Sequence, residues 1–280
     1  MKQILIDSIG RLDLLVWILV ILFFCGSALF FGGNLQLSFI GAAGIIMEMV
    51  LIGMAIEIII ECLKKTKGIG TITGFITNGP EAICLLVGLI AGDIIFAAST
   101  PLGSNFMNPV LLLVATIVCG QVYKTIRTRS RYTVPTILST AFFAGLFFLL
   151  DPQHYLYWVL GATALSITLF LLRPEELETD SVEDYSVNPR VWLFPSIIIL
   201  TVAGYFLDGV ITFAADSSHA PKGVIGFIVL ATLTSWPEFK SCLGLLARRK
   251  HLAAVLNITV SNITNIWLAV IGVATYLFLY

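Results

Sequence analysis

The chain has 280 residues, 58% of them hydrophobic and only 12% charged, with a mean hydropathy of +0.97 and a formal net charge of -1. A water-soluble domain carries roughly 25% charged residues, so this inventory excludes a soluble enzyme, a secreted disulfide scaffold and a disordered regulator, and leaves no room for a large extramembrane catalytic domain. At about 20 residues per span, the length accommodates nine or ten membrane crossings.

Behind Lys2 and Arg11, the apolar run 14–31 has the charge pattern of a signal peptide and the length of a span; a spanning helix is expected. Apolar runs and their polar interruptions place nine helices, at 12–31, 39–62, 69–91, 93–119, 132–150, 153–173, 191–214, 223–247 and 250–279. Between the sixth and seventh, the loop Arg173–Arg190 carries Glu175, Glu176, Glu178, Asp180, Glu183 and Asp184. It reads as a solvated acidic linker, with a regulatory cation site as the minor alternative. The chain thus divides into an extra N-terminal helix (1–38), a first half (39–173), an acidic cytoplasmic linker (174–190) and a second half (191–280). Cys25, Cys62, Cys84, Cys119 and Cys242 lie in or beside apolar runs with no CxxC spacing, and read as small buried hydrophobes.

Positive charge gives the topology. Passing alternately through nine helices puts Lys2, Arg11, Lys64, Lys65, Lys67, Lys124, Arg127, Arg129, Arg131, Arg173, Arg190, Arg248, Arg249 and Lys250 on one side, 14 of the 16 Lys and Arg residues. Lys222 falls on the other side and Lys240 inside a span. The positive-inside rule then sets the N-terminus in the cytoplasm and Tyr280 outside.

Two spans are interrupted by similar motifs, Thr77-Asn78-Gly79-Pro80-Glu81 and Thr234-Ser235-Trp236-Pro237-Glu238. Each is followed in the next span by a small polar cluster, Gly103-Ser104-Asn105-Phe106-Met107-Asn108 and Val260-Ser261-Asn262-Ile263-Thr264-Asn265. The copies superpose without a gap at an offset of 157 residues, matching Thr77, Pro80, Glu81, Ser104, Asn105 and Asn108 with Thr234, Pro237, Glu238, Ser261, Asn262 and Asn265. Identities at polar and proline positions inside apolar helices carry weight that leucine matches do not. The topology runs the two copies in opposite directions, the inverted-repeat plan of secondary transporters.

Proline inside a span removes a main-chain donor, which releases carbonyls of Ile76 or Thr77 and of Leu233 or Thr234. Glu81 and Glu238 place ionisable groups at a depth where they are costly and usually functional. Oxygens of Thr77, Ser104, Asn108, Thr234, Ser261 and Asn265 complete an all-oxygen set, to which the adjoining Asn78 and Ser235 add candidates. Hard cations such as Ca²⁺ take such ligands, and the lack of His or Cys disfavours zinc and copper. A lone Pro would read as a kink, and a lone Ser or Asn as an interhelical hydrogen bond; duplication in register favours an ion site. Two carboxylates facing one site do not comfortably both ionise without a cation, so proton exchange is as reasonable as sodium exchange.

This pattern resembles the calcium/cation antiporter superfamily, which includes the sodium/calcium exchangers. Their two repeats typically read G-T-S-x-P-E and, about two dozen residues later, G-N-x-x-G-S-N. Leu233-Thr234-Ser235-Trp236-Pro237-Glu238 is close to the first and Gly103-Ser104-Asn105 matches part of the second. The resemblance spans about 40–279 and implies an all-α polytopic fold of inverted repeats. It makes Glu81 and Glu238 the central Ca²⁺ carboxylates, Thr77 and Thr234 sources of main-chain oxygen, and Ser104, Asn108, Ser261 and Asn265 the lining of flanking sites. It also implies that helices 39–62 and 191–214, with Gly41, Ala42, Ala43, Gly44 and Gly53 in the former, slide across a core bundle.

The chain departs from the family at Asn78 and Gly79, at Thr100 and Pro101, and at Asn265, which is often Asp there. Two carboxylates instead of three balance one divalent or two monovalent ions, so an exchange near two monovalent ions per divalent cation is expected. The family usually has five helices per half; here one helix precedes the first half and two are lacking from the second, leaving a second copy of the chain or the extra helix to take their place. Lys240, two residues beyond Glu238, has Glu57 as its candidate charge partner, the alternative being an ammonium that stands in for bound Na⁺.

The expectation is therefore a divalent-cation antiporter of a prokaryotic inner membrane, exchanging Ca²⁺ for Na⁺ or H⁺ by alternating access. Inorganic cations and lipid are its expected partners, with no nucleic acid and no cofactor. The rival is a non-transporting cation-binding module with a structural or sensing role. An enzyme is not expected, for no GxGD, HExxH or DDxxD pattern occurs and His154, His219 and His251 lie near span ends.

Overall fold

Long runs of Leu, Ile, Val and Phe without water-satisfied loops leave the backbone only its own hydrogen bonds, which in lipid selects helices or closed barrels. The computed structural model describes residues 8–92, 94–176, 187–221, 229 and 232–279, and every regular element among them is helical. In chain order these are α1 (Arg11–Phe31), α2 (Leu35–Leu63), α3 (Ile69–Ile76), α4 (Gly79–Ala91), α5 (Ile94–Val118), α6 (Val122–Arg127), α7 (Ser130–Leu149), α8 (Tyr155–Leu171), α9 (Pro189–Ser218), α10 (Trp236–Ala247) and α11 (His251–Leu279). A 3₁₀ turn, Pro152–His154, leads into α8.

Among the described residues eight helical segments are long and apolar enough to cross a membrane, as in a polytopic membrane protein: α1, α2, the α3–α4 pair, the Pro101–Val118 part of α5, α7, α8 with its 3₁₀ turn, α9 and α11. The expected ninth span, 223–247, begins on residues outside the described set; from Thr232 it is helical, with a turn at Ser235. Lys2, Lys222, Tyr280 and four linker acids (Glu178, Asp180, Glu183, Asp184) also lie outside it.

The chain forms two compact units, each discontinuous in sequence: Met1–Cys62 with Tyr185–Pro237, and Leu63–Asp184 with Glu238–Tyr280. In the first, α2 and α9 approach so closely that a Cβ on Gly41 would stand 2.7 Å from Ala214 Cβ, and one on Gly44 2.8 Å from Val210 Cγ1. Gly41 and Gly44 belong to the small-residue run singled out above. In the second unit, Leu85, Leu102, Ala144, Phe147, Trp158 and Ile266 form a shared apolar core, and the Trp158 indole N–H donates to the Phe143 carbonyl (2.9 Å).

Within this second unit α11 is the central helix. Gly70 stands against Ala253, Gly74 against Asn257 and Asn78 against Ser261, so α3 runs in the same direction as α11. Along α10 the partners run the other way: Glu238 with Ser261, Ser241 with Asn257 and Cys242 with Ala254.

Candidate functional site

The first motif does break its span. α3 ends at Ile76 and α4 begins at Gly79, with Thr77 N–H donating to Thr73 O (2.9 Å) and Ala82 N–H to Asn78 O (3.1 Å). The residue four beyond Ile76 is Pro80, so the Ile76 carbonyl has no helical donor. Asn78 clamps the break. Its amide N donates to Gly74 O (2.9 Å) and Ser261 O (3.2 Å), and its Oδ1 accepts from Ser261 Oγ (3.1 Å). Asn78, expected as a ligand, thus holds the break to α11 through both its amide nitrogen and its amide oxygen.

Of the expected residues, the second unit gathers Thr77, Asn78, Glu81, Ser104, Asn108, Glu238, Ser261 and Asn265, all of them buried. The Ser104 side chain hydrogen-bonds the Glu81 carboxylate, and Ser261 Oγ lies 3.3 Å from Glu238 Oε1. The two carboxylates are near enough to repel each other. The Thr77 hydroxyl faces Glu238 without completing a hydrogen bond. Thr234 and Ser235 belong to the first unit, where Thr234 is half-buried and Ser235 buried. Lys240 is half-buried on α10 in the second unit, and Glu57 half-buried on α2 in the first.

Four asparagines tie α5 to α11. Asn105 Nδ2 donates to Asn262 O (3.2 Å) and Asn262 Nδ2 to Asn105 O (3.4 Å). Asn108 Nδ2 donates to Asn262 Oδ1 (3.0 Å), and Asn265 Nδ2 to Asn105 Oδ1 (3.2 Å). The Asn105 carbonyl is open to this contact because the residue four on is Pro109, which has no N–H to give it. Asn262 also donates to Thr140 Oγ1 on α7 (3.2 Å), and Asn108 to Ser261 Oγ (3.1 Å).

Against this network stand side-chain oxygens that no donor among the described residues meets: Glu81 Oε2, Glu238 Oε2, Asn108 Oδ1 and Asn265 Oδ1. A buried acceptor left unsatisfied costs about 1–3 kcal/mol, and more when charged, and these four are free to accept from a proton or a cation. They also form two pairs at the same chain offset of 157, Glu81 with Glu238 and Asn108 with Asn265. No cluster of three or more His, Cys, Asp or Glu side chains occurs among the described residues. The donor set is two carboxylates with amide and hydroxyl oxygens, which suits a hard cation and not a soft one.

Sequence reading left Asn105 and Asn262 out of the candidate site, although both were among the repeated identities; they prove to be its frame. It also passed over Asn257, which accepts from Ser241 Oγ (2.9 Å) while its amide reaches toward the Glu238 carbonyl (3.5 Å). A fully buried Asn in the middle of an apolar helix was the available signal. Glu176 departs from the solvated-linker expectation: it is 8% exposed, and its carboxylate accepts from Gly70 N (3.0 Å) and Thr71 N (3.1 Å).

Comparison with protein-family models, curated proteins and solved structures finds no match to this chain.

Proposed function

We propose that this protein is a secondary cation antiporter, similar to the calcium/cation antiporters, that exchanges a divalent cation, foremost Ca²⁺, for Na⁺ or H⁺ by alternating access. The observation that carries this reading is the set of orphaned buried oxygens in repeat-related pairs, Glu81 with Glu238 and Asn108 with Asn265. A structural polar network would satisfy its own acceptors; here each of the four amide nitrogens has a partner while oxygens are left over.

An inverted repeat accounts for the reciprocal bonds. Donation from Asn105 to Asn262 and from Asn262 to Asn105, repeated by Asn108 to Asn262 and Asn265 to Asn105, is the self-complementary pattern of a two-fold axis. The opposed directions of α3 and α10 against α11 support the same relation. Membership of α2 and α9 in a unit apart from the oxygen cluster fits their role as the moving pair of such a transporter. The charge asymmetry supports a cytoplasmic N-terminus.

Mechanistically, Glu81 and Glu238 supply the charge that holds the cation, while the amide oxygens of Asn108 and Asn265 complete its shell. Ser261 has a single hydroxyl proton and two acceptors in reach, Asn78 Oδ1 and Glu238 Oε1. When Glu238 is protonated it donates to Ser261 Oγ, whose proton turns to Asn78; when a cation binds, the carboxylate proton leaves. This gives cation–proton competition a defined hydrogen-bond path.

The test is flux in proteoliposomes under imposed Ca²⁺, Mg²⁺, Mn²⁺, Na⁺, K⁺ and pH gradients. Antiport requires Ca²⁺ uptake that depends on a counter-ion gradient and is lost in Glu81→Gln and Glu238→Gln. Uptake indifferent to every counter-ion gradient refutes antiport. Cation binding without flux assigns the protein to the sensing or structural reading.

A further inference from the structure

The amino end of α3 is capped from a distance. Its N-cap residue is Gly68, in the left-handed region (φ 79°), and no side chain of the local sequence caps the helix. The N–H groups that an N-cap side chain ordinarily satisfies are those two and three residues on, here Gly70 and Thr71. Both are taken by Glu176, 106 and 105 residues further along the chain. The carboxylate also lies where the helix dipole favours negative charge.

Two further observations make this more than a surface cap. Glu176 is buried, whereas its neighbour Glu175 lies 3.9 Å from Lys67 with both side chains well exposed. Lys250, in the connection between α10 and α11, is drawn by the Glu176 charge and donates Nζ to Lys64 O (2.7 Å); partial burial holds its ammonium below the usual lysine range. Glu176 thus caps the start of α3 and lines one cavity with Lys250, His251 and Ala253, where α11 opens.

The length of α3 gives this its consequence. Eight residues span only about 12 Å, and so short a helix is not stable by itself. Laterally it is fixed by close approach to α11 at Gly70 and Gly74. At its far end it delivers Thr77 and the Asn78 clamp. We infer that Glu176 is a positioning residue of the cation site: by holding the amino end of α3 it sets where Thr77 and the break before Glu81 stand. The acidic linker is thereby mechanically tied to the site, and does not merely connect two halves.

The structural part is tested without any assumption about transport, by amide hydrogen exchange on the full chain in detergent, comparing wild type with Glu176→Ala, Glu176→Gln and Glu175→Ala. Positioning requires that Glu176→Ala raise exchange at least tenfold at 77–82 and around Ser261 as well as at 70–72, that Glu176→Gln, which keeps one acceptor, be intermediate, and that Glu175→Ala match wild type. A change confined to 70–72 overturns the inference and leaves a local cap. If Glu176→Ala does not fold, the milder Glu176→Gln decides by the same criterion.

The functional readout rests on the antiport reading. There, Glu176→Ala raises the Ca²⁺ concentration for half-maximal flux several-fold more than it lowers the maximal rate. A loss of maximal rate alone counts against positioning. Absence of flux in wild type refutes antiport and leaves the exchange criterion standing.

Discussion

Asn105 and Asn262, 157 residues apart, hold each other by exchanged amide-to-carbonyl hydrogen bonds of 3.2 and 3.4 Å. Each amide oxygen also accepts from a further asparagine, Asn265 on Asn105 and Asn108 on Asn262. With no exposed surface on either residue, the pair has no water to fall back on. Asn105→Leu takes the partner from one acceptor (Asn262 O) and one donor (Asn265 Nδ2), and Asn262→Leu from two acceptors (Asn105 O and Thr140 Oγ1) and one donor (Asn108 Nδ2); either is expected to destabilise the protein by about 1–3 kcal/mol. Each exchanged bond runs from one side chain to the other residue's main-chain carbonyl, so the double replacement is expected to cost about the sum of the singles. Thermal unfolding of the four proteins in one detergent closes the cycle; single variants as stable as wild type would contradict the exchange.

Charge is what Glu81 and Glu238 bring to the oxygen cluster. Glu81→Gln and Glu238→Gln are expected to bring Ca²⁺ flux to background while leaving the fold intact, since Gln keeps shape and hydrogen bonding. For the wild type, lowering the pH at fixed Ca²⁺ should slow uptake, because each proton added to a carboxylate removes ligand charge. Isotope uptake against pH measures this, and a rate that rises on acidification would contradict competition.

Asn265→Asp puts a third carboxylate where an orphaned amide oxygen stands. A more negative site should bind Ca²⁺ more tightly, by roughly tenfold or about 1.4 kcal/mol, and bring an additional monovalent ion per cycle. Titration calorimetry reads the first effect. Flux under a clamped membrane potential reads the second, as exchange that becomes potential-driven only in the variant.

Close approach of α3 to α11 makes Gly70 intolerant of a side chain. A Cβ there would collide with the Ala253 backbone, which has no flexible end to yield, so Gly70→Ala should destabilise by about 1–3 kcal/mol. Gly103, on α5, has open space where its Cβ would be. Gly103→Ala should therefore be neutral or stabilising by up to about 1 kcal/mol, as helix propensity dictates. Midpoints of thermal unfolding separate the two.

Much of the fold was legible because hydropathy and helix breaking are local. The runs read as 12–31, 93–119 and 250–279 correspond within a residue to α1, α5 and α11. The α2 and α9 helices are longer than predicted, α2 starting at Leu35 and α9 running from Pro189 to Ser218, because polar residues at a helix end, such as Gln36, Ser38, Arg190, Asp216 and Ser217, continue the helix without adding to an apolar run. The break at Asn78 was legible from Pro80. The short α6 was not, since Val122–Arg127 is polar and too brief for a periodic signal. Glu176 was hidden among five other acids that looked alike in sequence; only its packing against the start of α3 distinguishes it.

By itself the sequence determined an apolar, multi-helix protein with two registers of misplaced polar residues, Thr77 to Asn108 and Thr234 to Asn265. Those are properties of composition and spacing, which need no knowledge of what lies across from a residue. Tertiary structure decided which of the polar groups are partners and which are left over: that Asn78 clamps the break to α11, that Asn105 and Asn262 bond reciprocally, and that Glu81, Glu238, Asn108 and Asn265 retain open oxygens. Hydrogen-bond satisfaction depends on the distance between atoms more than a hundred residues apart in the chain, and only packing sets that distance.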